Sequence, residues 1–149
     1  VDACRESALR LLDAADRPSG ALRDRLIDKG YDDETVAAVV DRLIEVGLVD
    51  DESYAQSAVR YCVGRLMGYR GAVMELARKG VDRPLAERVC DEARMSGVFE
   101  DAAWELGRRS AAKTQGMDPK VRKRRFWSSG GRKGHDAETL RAVAHELFD

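Results

Sequence analysis

The densest chemistry in the chain is Lys120-Val121-Arg122-Lys123-Arg124-Arg125-Phe126-Trp127, five cations followed by two aromatic residues. Such a run suits a surface that faces anions, either DNA phosphates or an acidic protein groove. The plainer reading is a solvated helix face with Phe126 and Trp127 packed inward. A sparser set, Arg65, Arg70, Arg78 and Lys79, lies upstream, and Arg108, Arg109, Lys113, Arg132 and Lys133 flank the main run. If these groups share a face, the molecule carries a basic strip.

Other chemistries find less support. A phosphate loop needs glycines ahead of Lys-Ser/Thr, so that backbone N–H groups wrap the anion. Neither Gly64–Arg70 nor Gly130-Gly131-Arg132-Lys133-Gly134 ends that way, and these glycines read as turns. His135 and His145 have no accompanying ligand pair, so no metal is expected. Cys4, Cys62 and Cys90 lack metal-like spacing and fall on or beside apolar helix faces; they read as buried or half-buried reduced thiols. Asp50-Asp51 could pass for catalytic carboxylates, but their place at a helix start favours capping, and Glu100-Asp101 repeats the arrangement. No catalytic residue and no cofactor is expected.

The elements that must position the cations are spaced from a recurring corner. Lys-Gly-x-Asp occurs at 29–32, 79–82 and 133–136. A glycine after a cation suits a helix C-terminus, and an Asp two residues later suits the next N-cap. After each Asp, positions +4, +7, +8 and +11 are apolar: Val36, Val39, Val40, Leu43; Ala86, Val89, Cys90, Ala93; Leu140, Val143, Ala144, Leu147. That is one face of a helix. Gly47-Leu48-Val49-Asp50-Asp51-Glu52-Ser53-Tyr54 also aligns with 97–104 at the offset of 50 that relates Gly30 to Gly80, so one period accounts for two landmarks.

The chain therefore reads as all-α, with three-helix repeats at 1–49, 50–97 and 98–149 and Gly30, Gly47, Asp50, Asp51, Tyr54, Gly80 and Gly134 as structural punctuation. Helices are expected at about 5–15, 19–30 and 32–46, then from 51 through Leu66, at 73–79 and at 82–95. In the third repeat they are expected from 100 to about 113, at 120–127 and after Asp136. Gly68-Tyr69-Arg70-Gly71 is expected as a corner. Ser128-Ser129-Gly130-Gly131 interrupts the third copy, which reads as degenerate, and accounts for a spacing of 54 between its glycine and the second.

The 149 residues carry a net charge of −1, distributed unevenly: −5 over 1–50, +1 over 51–97 and +3 over 98–149. No apolar run approaches the length of a membrane span, and no signal peptide is visible. A cytoplasmic location is the expectation.

The segment Gly47–Ala55, followed by Arg70-Gly71 and Glu75-Leu76-Ala77-Arg78-Lys79-Gly80-Val81, resembles the RecX family of recombinase regulators. Ala8–Leu12 and Leu26–Gly30 are similar to that family's first repeat. The resemblance implies tandem three-helix repeats in an elongated, curved molecule. It implies binding to the RecA filament on single-stranded DNA, with any DNA contact indirect or weak, and inhibition of its ATPase, strand-exchange and coprotease activities. A monomer without membrane contact or an active site is expected. The competing reading is a tandem helix-turn-helix protein that binds DNA without a recombinase, and a third is a generic helical scaffold.

Overall fold

In a computed structural model describing all residues 1–149, the chain forms nine helices and no strand. These are α1 (Asp2–Ala14), α2 (Ser19–Asp28), α3 (Asp33–Glu45), α4 (Asp51–Gly64), α5 (Tyr69–Arg78), α6 (Arg83–Met95), α7 (Val98–Lys113), α8 (Pro119–Arg132) and α9 (Ala137–Phe148). The +4, +7 and +8 positions after each corner Asp are buried in α3, α6 and α9, as the helical spacing predicts. Three hydrophobic clusters result, one within α1–α3, one within α4–α6 that also takes Phe99 from α7, and one within α7–α9. All three cysteines are buried and reduced. The accessible surface is 8946 Å², against roughly 7500 Å² for a compact monomer of this mass. The helices are strung out in series.

Each corner closes in the same way. The glycine takes a left-handed conformation, with φ of +102° at Gly30, +103° at Gly80 and +84° at Gly134. The following residue's N–H reaches back five positions, from Tyr31 to Leu26, Val81 to Leu76 and His135 to Gly130. This pairs carbonyls that the helix end leaves free. Asp32 and Asp136 then cap the next helix, accepting from Thr35 and Thr139 N–H at 2.8 Å. Asp82 makes no such bond. Pro84 in the first turn has no N–H to satisfy and presets φ instead.

Several sequence expectations change. Tyr69-Arg70-Gly71 is the first turn of α5, not a corner, and Gly68 is its N-cap. Leu66 is not in the α4 core. With φ of +63°, the only non-glycine residue in the left-handed region, it leaves the helix and packs against the third cluster. Its apolar side chain is needed there, which offsets strain of about 1–2 kcal/mol. Ser128–Gly131 does not interrupt the third copy: α8 runs through it, and the four extra residues between corners become one added helical turn. Gly130 sits under Leu140, where a Cβ would not fit. Glu100 and Asp101 lie inside the first turn of α7, which starts earlier, after a left-handed Gly97.

Asp51 is also more than a helix-start charge. Ser19 donates to it twice, from its N–H at 2.7 Å and its hydroxyl at 2.5 Å, tying α2 to α4. Beside this contact the second corner is pressed onto α2, where a Cβ on Gly20 would lie 2.5 Å from the Gly80 carbonyl oxygen. The third corner meets α5 in the same manner, with Gly134 against Gly71, and Gly68 N–H donates to the Lys133 carbonyl at 2.8 Å. The corners are therefore joints between trios as well as turns within them.

Candidate anion-facing groove

The second joint brings the two sets of cations together. On α7, Leu106, Arg109, Ser110 and Lys113 follow i, i+3, i+4, i+7 and so share one face. On α8 and its C-cap, Arg125, Ser129 and Lys133 are spaced by four. The end of α4 supplies Arg65. These faces enclose a groove of about 400 Å³ lined by five cations and by the hydroxyl-bearing Ser110, Thr114 and Ser129, with no carboxylate and no aromatic ring.

Three of the five cations are held in place. Lys133 Nζ donates to the Arg65 carbonyl at 2.8 Å, Arg65 donates to the Tyr61 hydroxyl at 3.2 Å, and Arg109 donates to Glu105 at 3.3 Å. Lys113 and Arg125 have no carboxylate within 4.0 Å. Behind the groove, buried Thr114 donates its hydroxyl proton to the Ser110 carbonyl at 2.7 Å and accepts from Arg122 Nε at 3.1 Å. Arg108 first and then Arg109 hold the Glu105 carboxyl below the usual carboxylate range through their hydrogen bonds. Like charges gathered around one cavity repel, and a bound anion relieves that repulsion.

The remaining cations of the expected strip are placed elsewhere. Arg122 serves the fold: it also donates to the Ala111 carbonyl at 3.1 Å and lies over the Phe148 ring. Lys123 pairs with Asp149, Arg78 with Glu75, and Arg108 with Glu105. Lys79 covers the Tyr61 ring together with Arg65, and Arg132 donates to the Ser128 hydroxyl. Arg70, Lys120 and Arg124 are exposed outside the groove lining. Phe126 is fully buried, and Trp127 packs beside the third cluster. Of the structural residues, Asp50 caps α4 through Ser53 N–H at 3.0 Å, Gly47 is left-handed at φ +82°, and Tyr54 packs on the second cluster.

Sequence reading did not single out Ser110, Thr114 or Ser129. The four-residue spacing that aligns Ser129 with Arg125 and Lys133 was the available signal. A larger concavity of about 660 Å³ beside Tyr69 and Phe99 is lined by Glu100, Asp136 and Glu138, the wrong charge for an anion. Buried His135 lies at its base, its Nε2 2.8 Å from the Leu66 carbonyl, and burial pushes its pKa down. No group of His, Cys, Asp and Glu is arranged to hold a metal ion, and no helix is long and apolar enough to cross a membrane.

Residues 4–43 match the family model for the first three-helix domain of RecX. A Regulatory protein RecX from Thermobifida fusca is 37% identical over 147 residues, an alignment covering 96% of this chain and 78% of that protein. The chain is a member of the RecX family. A second RecX regulatory protein, from a Mycobacterium species, is 49% identical over 77 residues, half of this chain and 41% of its own length. The fold likeness persists at lower sequence identity. The crystal structure of RecX from Lactobacillus salivarius superposes with a TM-score of 0.86 over 98% of this chain and 95% of that one, at 20% identity. This RecX-family chain thus shares its all-helical, tandem-repeat architecture with solved RecX structures.

Proposed function

We propose that this RecX-family protein is a cytoplasmic, monomeric modulator without an active site of its own. It binds the RecA recombinase filament on single-stranded DNA and inhibits its ATPase, strand-exchange and coprotease activities. Membership of a family of regulatory proteins carries the reading. The extended surface of a serial stack supports it, since such a molecule reaches several subunits of a filament at once. Units at 1–49, 50–97 and 98–149 would each contact a neighbouring part of the filament, and weak contacts in series add through effective concentration. The groove cations, with the exposed Arg70, Lys120 and Arg124, meet acidic recombinase surface or the DNA phosphates beneath.

The test is RecA-catalysed ATP hydrolysis on single-stranded DNA as the protein is added. Hydrolysis should fall and saturate; a rate unchanged at saturating protein sinks the reading. The groove's concentration of cations favours a second reading, a helix-turn-helix protein acting on DNA alone. Tight, steeply salt-dependent binding to bare duplex without recombinase would select it.

A further inference from the structure

The groove between α4, α7 and α8 has a composition that a general anionic surface does not require. Five cations converge on about 400 Å³, a volume within the ~300–1000 Å³ range of small-molecule sites. One of the five, Arg109, is shared with Glu105, and the others face the cavity without a carboxylate in its lining. Arg65 and Lys133 are fixed by hydrogen bonds, whereas Lys113 and Arg125 are free to close on a ligand.

A nucleic-acid strand brings one charge per phosphate and separates successive phosphates by a sugar. A strand-binding groove accordingly adds aromatic platforms on which bases stack. Here no aromatic residue lines the cavity; neighbouring Tyr61 is exposed but lies outside the lining, with Arg65 and Lys79 over its ring. A chain of phosphoryl groups joined through shared oxygens packs several charges into the same space. We infer that this groove is a binding site for a compact oligophosphate, whose phosphoryl oxygens are held by Arg65, Arg109, Lys113, Arg125 and Lys133. A nucleoside triphosphate and inorganic polyphosphate both present this chemistry. The site binds and does not hydrolyse, because its lining has no carboxylate to position a metal ion or a water. This inference does not rest on the recombinase reading.

The test is calorimetry on the full chain with inorganic tripolyphosphate, ATP, orthophosphate and a thymidine oligonucleotide. Tripolyphosphate and ATP should bind one-to-one with similar affinity, and orthophosphate at least about tenfold more weakly, since it forms fewer charge-assisted contacts. The double variant K113Q/R125Q should lose at least about tenfold for tripolyphosphate through two such contacts. The charge-matched control K120Q/R124Q, exposed and outside the groove lining, should change it by less than about threefold, as solvent-exposed charges are screened. Equal loss in both variants would reduce the site to bulk charge and overturn the inference. So would absence of saturable tripolyphosphate binding, or an oligonucleotide that needs Lys113 and Arg125 and is not displaced by tripolyphosphate. Thermal melting by circular dichroism verifies that both variants are folded. ATP should bind better than tripolyphosphate only if the base is also recognised, and a gap above about tenfold would refute a phosphate-only site.

Discussion

Gly30 and Gly80 occupy the same motif with the same backbone, φ +102° and +103°, but in different surroundings. A Cβ on Gly30 meets nothing within 4 Å, whereas one on Gly80 would lie 2.7 Å from Ala21 N and 2.9 Å from Ala21 Cβ. Gly30→Ala should therefore cost only left-handed strain of about 1–2 kcal/mol, partly offset by roughly 0.4–1 kcal/mol from a less flexible unfolded chain. Gly80→Ala carries both terms equally, so they cancel in the difference. What remains is displacement of the α2 start, where Ser19 makes its two bonds to the Asp51 carboxylate. Losing even one bond to a charged acceptor places Gly80→Ala about 2 kcal/mol below Gly30→Ala. For a chain of this size that corresponds to roughly 4–8 °C in Tm. Urea unfolding followed by circular dichroism measures the difference, and the slope reports whether the trios still unfold together. Stabilities that agree to within ~0.5 kcal/mol, about the reach of an ordinary surface change, would show that the joint has slack and the argument fails.

The remaining predictions concern the groove's support, the buried histidine and the thiols. Arg122→Ala should destabilise by about 1–3 kcal/mol through loss of its bonds to Thr114 and the Ala111 carbonyl, while Arg124→Ala stays within ~0.5 kcal/mol; matched urea melts decide. Burial holds the folded pKa of His135 below its unfolded value, so the unfolded state binds the extra proton. Stability from this residue is complete above about pH 6.5 and lost as pH falls from there toward the folded pKa, and His135→Gln should flatten the stability profile between about pH 7.5 and 5.5. An unchanged slope would place the titration elsewhere. Burial pushes the Cys90 thiol up to about 12 and raises Cys4 and Cys62 in the same direction. All three should resist an aromatic disulfide reagent at pH 8 until the protein is unfolded, and a fast-reacting thiol in the native state would contradict their burial.

Helix type and inward faces were legible because they repeat at a period that only a helix satisfies. Val36, Val39 and Val40 predict burial by themselves, and two further copies restate it. What escaped was everything set by a partner helix. Gly130-Gly131 looks like a break by propensity, yet at Gly130 Leu140 fills the space that a side chain would need, so packing overrides the preference there. Leu66 fits the apolar spacing of α4, and only the third cluster's demand for its side chain reveals why it leaves that helix. The groove was half legible. The cations are visible as a list, but Arg122 and Arg125 look equivalent until Thr114, Ala111 and Phe148 are seen to claim the former.

The glycine-on-glycine joints also bear on how many copies can be strung together. The second and third corners each seat on a partner helix with a glycine close to its start, Gly20 in α2 and Gly71 in α5. Counted from its own start, α8 offers Lys120 and Val121 there; counted back from its corner it offers Arg124 and Arg125. Side chains at these positions obstruct another corner from seating on α8 as the earlier ones do. The first corner, at Gly30, is an unoccupied plug, since nothing lies where its Cβ would be. Head-to-tail addition of a second molecule would need that plug to find a glycine socket, and the two sockets in the chain are already filled from within. The same contacts that align the trios thus leave neither glycine socket open to the Gly30 corner of a second molecule.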